Sequence, residues 1–161
     1  MNFHLKNIRK NTYALVGLFA LVVIGVTLIA RVQNMIVPAR LHFAWQVITG
    51  LLLLATIVYQ WLLMRKRWIR AASRADLVSH RWLGVLATFL FAVHAVRIGH
   101  TWMLILTMVF VVVALTGVFN KEFLGFRSRW AYLTWFTIHV GFSAILAPMI
   151  AVHIWVALAY Q

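Results

Sequence analysis

The fold is decided by residues 74–98, which read RADLVSHRWLGVLATFLFAVHAVRI. The segment is mostly apolar, and as a helix it is long enough to cross a hydrocarbon core of about 30 Å. Ser73 and Asp76 have the spacing of a capping box, which predicts that a helix starts just before Arg74. His80 and His94 are then expected well inside the helix, where an ionisable side chain is costly and indicates a function.

Four more apolar segments surround this one. Together they predict five transmembrane helices, at Thr12–Ala30, His42–Met64, Arg74–Ile98, Thr101–Phe119 and Trp130–Tyr160. The chain has 161 residues, of which 65% are hydrophobic and 11% charged, whereas soluble domains are about half apolar. We therefore expect an all-α integral membrane protein, a single domain over residues 1–161 that forms a bundle of five transmembrane helices.

Two details of this helix pattern carry their own predictions. Residues 81–120 are far too long for one crossing, and Arg97, Gly99 and His100 lie near their middle. A tight turn between two antiparallel helices is therefore predicted there. Pro148 lies inside the fifth segment, where it removes one backbone hydrogen bond and predicts a bend.

The charge pattern predicts the orientation. The net charge is +13, from 15 Lys and Arg against 2 acidic residues. In a soluble protein this would indicate a nucleic-acid partner, but here the basic residues flank apolar segments, which favours membrane lipid instead. With a cytoplasmic N-terminus, only Arg31, Arg40 and Arg97 of the 15 lie outside. The positive-inside rule thus predicts a multi-pass protein of the cell membrane, expected to be a bacterial inner membrane.

Four histidines give the strongest functional signal. His80 and His94 are 14 residues apart, and so are His139 and His153. On a helix this spacing leaves an offset of about 40° and a separation of roughly 21 Å, so both members of a pair share a face. The third and fifth segments are predicted to be parallel. The pattern therefore favours two stacked haems, an inner one between His80 and His139 and an outer one between His94 and His153.

The chemistry of the remaining residues limits the alternatives. The chain has no cysteine, which excludes thiolate-ligated iron–sulfur clusters and covalent haem attachment. Membrane histidines also occur as packed hydrogen-bonding residues, in proton or metal transporters, and in pigment-binding or assembly subunits. A transporter predicts clustered ligands or acidic residues at mid-membrane. The only carboxylate side chains are those of Asp76 and Glu122, near helix ends.

Several residues are candidates for supporting roles. Glycines would let a porphyrin approach a helix, or would serve close helix packing; these are Gly84, Gly117 and Gly141. Arginines would neutralise haem propionates, or would only set the topology; these are Arg81, Arg97, Arg127 and Arg129. Polar residues near the outer surface would line a quinone or proton-exchange site, although interfacial residues are the preferred interpretation; these are His42, His100 and Gln46.

The sequence His80-Arg81-Trp82-Leu83-Gly84, with His94 on the same helix, resembles the third helix of the ferric reductase-like transmembrane domain. Residues 135–139, Trp-Phe-Thr-Ile-His, with His153 beyond them, resemble the fifth helix of that domain. The superfamily includes ferric reductases, NADPH oxidases and the haem-binding membrane subunit of bacterial methionine sulfoxide reductase. The resemblance implies two non-covalent b haems, with the inner and outer ligand pairs given above, that carry electrons across a membrane.

The departures from this family shape the expected partners. Its core usually has six helices, and many members continue into a flavin- and NADPH-binding module. This chain has five candidate spans and no G-x-G-x-x-G motif. Electrons are therefore expected from a redox partner protein or from membrane quinol, with the chain acting as the electron-transfer subunit of an oxidoreductase.

Overall fold

The computed structural model describes residues 12–30, 42–69, 73–95, 101–119, 124–126 and 128–159, without the side chains of 27–30, 42, 67 and 68. Within these residues the protein is all-helical. The five helices are α1 (Thr12–Ala30), α2 (His42–Ile69), α3 (Arg74–His94), α4 (Thr101–Val118) and α5 (Arg129–Ala159). The five helices match the five predicted segments, and residues 81–120 are indeed divided between two of them.

Four of the helices are long and apolar enough to cross a membrane, namely α2, α3, α4 and α5. In α1 the residues with described side chains form a shorter apolar stretch, Thr12–Val26. Large apolar side chains are exposed on several helices, with Phe19 62%, Met108 60% and Trp155 64% accessible. Water-soluble domains rarely expose continuous apolar surface, so these faces fit a lipid surrounding.

The start of α3 is the predicted capping box. The Ser73 hydroxyl accepts a hydrogen bond from the backbone N–H of Asp76 at 3.0 Å. The Asp76 carboxylate in turn accepts from the Ser73 backbone N–H at 3.1 Å and from its hydroxyl at 2.8 Å. These bonds satisfy amide groups that have no partner within the helix.

The end of α3 differs from the prediction. The helix ends at His94, four residues before Ile98, and Ala95 leaves helical geometry with φ −76° and ψ 76°. His94 is therefore the last helical residue, and its expected position well inside the helix is wrong. The reason is that hydropathy gives only the length of the apolar run. The helix itself ends where the backbone dihedral angles leave the helical range, which happens at Ala95.

The end of α2 differs in the opposite sense. The helix continues five residues beyond Met64 to Ile69. Arginine and lysine end the apolar run at residues 65–67, but both are good helix formers and do not interrupt the backbone hydrogen bonds. The ends of α4 and α5 lie within one residue of the prediction, and α5 is continuous through Pro148.

The helices fall into two compact units, of which one contains α1, α2 and α3 and the other contains α4 and α5. In the first unit, α3 packs against both α1 and α2. Small residues of α1 are fully buried there, Ala14 and Ala20, and Phe19 of α1 lies 6.4 Å from Phe89 of α3 between ring centroids. In the second unit, α4 packs against α5.

Candidate cofactor-binding histidines

The four candidate ligands lie on two continuous helices. His80 and His94 are on α3, and His139 and His153 are on α5. Each side chain is partly buried. Because each pair lies on one helix, the 14-residue spacing corresponds to a separation of roughly 21 Å along the axis. The two members of a pair are therefore too far apart to ligate the same metal ion.

His94 is held by a threonine of the neighbouring helix. Its Nδ1 lies 3.3 Å from the hydroxyl oxygen of Thr49, which is buried in α2. The Thr49 hydroxyl donates to the backbone carbonyl of Trp45 at 2.7 Å, and it also lies 3.3 Å from the carbonyl of Gln46. A hydroxyl has only one hydrogen, and the Trp45 carbonyl at 2.7 Å is its nearest acceptor, so the Thr49 oxygen is best placed to accept from His94 Nδ1–H. In a neutral His94 ring this arrangement favours the tautomer with its lone pair on Nε2.

The residue after this threonine makes room for the same ring. A Cβ atom placed on Gly50 would lie 2.9 Å from Cε1 of His94 and 3.3 Å from its Nδ1. The imidazole therefore rests directly against the α2 backbone, and any side chain at position 50 would displace it.

His139 has the equivalent surroundings in the other unit. Its Nδ1 lies 2.9 Å from the hydroxyl oxygen of Thr116 in α4. That hydroxyl donates to the carbonyl of Val112 at 2.8 Å, with the carbonyl of Val113 at 3.0 Å. The same reasoning favours a proton on Nδ1 of His139 and a lone pair on Nε2. His139 also makes a hydrogen bond with the backbone of Val113, so Thr116 is one of two acceptors near its ring. Gly117 follows the threonine, and a Cβ there would lie 3.6 Å from His139 Cε1, an ordinary contact.

An indole stabilises each of these helix pairs next to the histidine. Trp45 Nε1 donates to the carbonyl of Val93 at 3.0 Å, and Trp135 Nε1 donates to the carbonyl of Thr116 at 2.7 Å. Both carbonyls belong to the last turn of a helix, where backbone acceptors have no partner within the helix. Trp135 also stacks on His139, with ring centroids 5.8 Å apart and planes 4° from parallel.

These arrangements fit haem ligation at two of the four positions. A metal-ligating histidine is neutral, and its second ring nitrogen usually donates to an acceptor that fixes the tautomer and the ring orientation. His94 and His139 meet the second condition, with a threonine hydroxyl next to Nδ1 as the acceptor. The donor set of these two residues is therefore suited to iron ligation through Nε2.

The predicted supporting residues have varied surroundings. The guanidinium carbon of Arg81 lies 5.0 Å from the ring centroid of Tyr13, so this arginine packs on α1. A Cβ on Gly84 would lie 3.8 Å from the Gln60 side-chain oxygen. Gly141 is exposed on α5, and no described atom lies within 4 Å of a Cβ built there.

The residues predicted near the outer surface are mostly outside the described part of the chain. This applies to Arg97, His100 and the side chain of His42, as it does to Arg127 near the inner end. Gln46 is exposed on α2, and Arg129 is exposed at the start of α5.

A shallow, open surface cavity of about 440 Å³ lies between α4 and α5. Its lining is almost entirely apolar and aromatic, and it includes Phe119, Phe126 and Ala131. Thr116 and Trp135, the two residues that hold His139, also form part of its wall. A molecule in this cavity would therefore lie one side chain away from the His139 ring.

Three residues that contact the candidate ligands were not predicted from the sequence, namely Thr49, Gly50 and Thr116. One signal was available, because the dipeptide Thr-Gly occurs twice in the chain, at 49–50 and 116–117, within apolar runs. Nothing in the sequence context of Trp45 distinguishes it from the other tryptophans, and Trp135 was noted only as part of the motif at residues 135–139.

Among the residues that the structure describes, no group of three or more His, Cys, Asp or Glu side chains is placed to hold a metal ion. Comparisons of the chain with protein-family models, curated proteins and solved structures found no match.

Proposed function

We propose that this protein is a membrane cytochrome that holds two b haems and carries electrons across the membrane. The observation that carries the proposal is the pair of histidines at equal 14-residue spacing on α3 and again on α5. The threonine contacts of His94 and His139 support it, because a ring that donates Nδ1–H to a threonine has its lone pair on Nε2, the nitrogen that would ligate iron. The resemblance to the ferric reductase-like transmembrane domain leads to the same function.

In this proposal His80 and His139 ligate the inner haem, and His94 and His153 ligate the outer one. The inner and outer sides follow from a cytoplasmic N-terminus. Bound haem supplies a one-electron iron couple, and the protein sets its potential through ligation, burial and nearby charge. Arg81 and Arg97 would neutralise haem propionates by charge-assisted hydrogen bonds, and Gly84 would let the porphyrin approach the α3 backbone.

The direction we propose is from the cytoplasmic to the outer side of a bacterial inner membrane. A quinol is the first candidate donor, and a redox partner protein on the outer side is the acceptor. The cavity beside Thr116 and Trp135 is the place we assign to the quinol headgroup. Its volume lies in the range of small-molecule sites, and its open, largely apolar and aromatic wall offers a place for a ring beside Thr116.

The haem content of the purified protein tests the proposal. The reduced-minus-oxidised spectrum should be that of haem b, with two haems per chain, and His94→Ala should retain one. His4→Ala, outside the predicted spans, is the control and should retain both. A colourless wild-type protein, or a His94→Ala variant that retains both haems, would contradict the assignment.

Double variants test the pairing of ligands. If His80 and His139 ligate the same haem, the variant that lacks both should retain one haem, as either single variant does. The variant that lacks His80 and His94 should retain none. If the first double variant retains no haem, His80 and His139 do not ligate the same haem, and the proposed pairing is wrong.

A further inference from the structure

We propose that Thr49 and Thr116 are positioning residues, which fix the tautomer and the orientation of His94 and His139 so that Nε2 is the ligating nitrogen. The role in haem binding rests on the proposed function. The tautomer assignment does not, since it follows from hydrogen bonds within the protein.

The hydrogen bond from each threonine hydroxyl to a backbone carbonyl determines what the hydroxyl oxygen can do toward the histidine. Threonine in a helix commonly donates its hydroxyl to the carbonyl one turn earlier, and Thr49 and Thr116 both do so, at 2.7 and 2.8 Å. The oxygen is then only an acceptor toward the histidine. The order of donation that the distances favour is histidine to threonine to backbone, and an Nδ1–H imidazole is the form that begins it.

The same unit is built twice from different helices. At each site a threonine is followed by glycine, and this Thr–Gly pair lies on the helix that precedes the histidine helix in the chain. At both sites the threonine contacts Nδ1, and at the His94 site Gly50 also leaves space that a Cβ atom would fill. One such histidine belongs to each proposed haem, His139 to the inner and His94 to the outer.

Not every buried threonine of these helices does this. Thr56 is also buried in α2 and also donates to a carbonyl one turn earlier, that of Leu52 at 2.8 Å. It therefore provides a matched control with the same burial and the same backbone bond. A Thr56→Val variant removes one hydroxyl from α2 without touching the contact to His94.

The first experiment reads the tautomer directly in the haem-free protein. Nitrogen NMR of ¹⁵N-histidine in purified protein in detergent distinguishes Nδ1–H from Nε2–H rings, and histidine variants assign the signals. We expect Nδ1–H at His94 and His139. Thr49→Val should redistribute the tautomers of His94 alone, and Thr116→Val those of His139 alone. The serine variants, which keep the hydroxyl, should behave as wild type, and so should Thr56→Val.

The second experiment measures haem titration of the same variants. Loss of an outer hydrogen-bond partner typically weakens metal binding by about 10- to 100-fold. Thr49→Val should weaken one haem site by this amount and Thr116→Val the other, with Thr49→Ser and Thr116→Ser close to wild type.

The outcomes separate the two proposals. A wild-type protein that binds no haem but has the Nδ1–H rings would refute the cytochrome and leave the tautomer assignment intact. Nε2–H rings in the wild type would overturn the inference regardless of haem. So would haem affinities of Thr49→Val and Thr116→Val equal to that of Thr56→Val.

Discussion

At the scale of single residues, two glycines in equivalent positions should respond differently to the same substitution. A methyl group on Gly50 would lie 2.9 Å from His94 Cε1, closer than carbon atoms approach, whereas one on Gly117 would lie 3.6 Å from His139 Cε1. Gly50→Ala should therefore displace the His94 ring from Thr49 and weaken one haem site by about 10-fold or more, the lower end expected for a lost outer partner. Gly117→Ala should be nearly neutral.

Haem titration and helicity of the two variants check this prediction. Both should remain folded, since the atom in the way is the end of a side chain that can rotate. Gly141→Ala, with open space around the position, serves as a second neutral control. Equal haem affinity in Gly50→Ala and Gly117→Ala would mean that the close contact between Gly50 and His94 does not position the ring.

The residue scale also shows what the sequence can and cannot predict. The four histidines were identified because ionisable residues stand out in apolar runs and because their spacing is regular. Thr49 and Thr116 were not identified. A threonine in one helix contacts a histidine in another only if the rotation of each helix about its axis, and its shift along that axis, bring the two side chains together. Those two quantities depend on packing, and no local pattern in the sequence encodes them.

At the scale of helices, the sequence predicted the existence and the order of the five helices well, and the positions of their ends less well. The Ser73–Asp76 capping box was predicted because it is local, with donor and acceptor three residues apart. The end of α3 at His94 was not, because residues 95–98 are as apolar as the helix before them. The end of α3 instead coincides with a tertiary contact, the bond from Trp45 to the Val93 carbonyl.

The cavity between α4 and α5 gives a prediction at this scale. Ala131 lines the cavity and is exposed, so Ala131→Trp should fill the space without disturbing buried packing. If the quinol headgroup binds there, haem reduction by a short-chain quinol should slow by about 10-fold or more, the loss that corresponds to at least about 1.4 kcal/mol of binding. Reduction by dithionite, which needs no site, should give the same final spectrum.

Stopped-flow absorbance at the haem band measures the rate of reduction by quinol and the final extent of reduction by dithionite. Ala144→Trp adds an equally large side chain to an exposed position of α5 that does not line the cavity, and it should behave as wild type. If quinol reduces Ala131→Trp as fast as wild type, the quinol site lies elsewhere, and the residues near the predicted outer surface, among them Gln46, become the next to test.

At the scale of the whole molecule, the proposed function depends on the orientation in the membrane, because a protein that transfers electrons across a membrane has a donor side and an acceptor side. The direction proposed here assigns the cavity and His139 to the cytoplasmic side and His94 to the outer side. Both assignments follow from one property of the sequence, the distribution of its 15 basic residues among the segments between helices. Orientation is therefore the prediction on which the direction of electron transfer depends.

Reporter insertions into the full chain test it. Loops that carry basic residues near helix ends tend to stay in the cytoplasm. If the N-terminus is cytoplasmic, twelve of the 15 basic residues lie on the cytoplasmic side. Segments 70–72 and 120–123 should then report the cytoplasm, and segments 31–41 and 96–100 the outside, by a phosphatase that is active only outside and a fluorescent protein that is bright only inside. Adding basic residues to segment 31–41 while removing those at 65–67 should weaken this preference. If the opposite pattern is found in the unaltered chain, the His139 end of the protein faces outward, and the proposed direction of electron transfer is reversed.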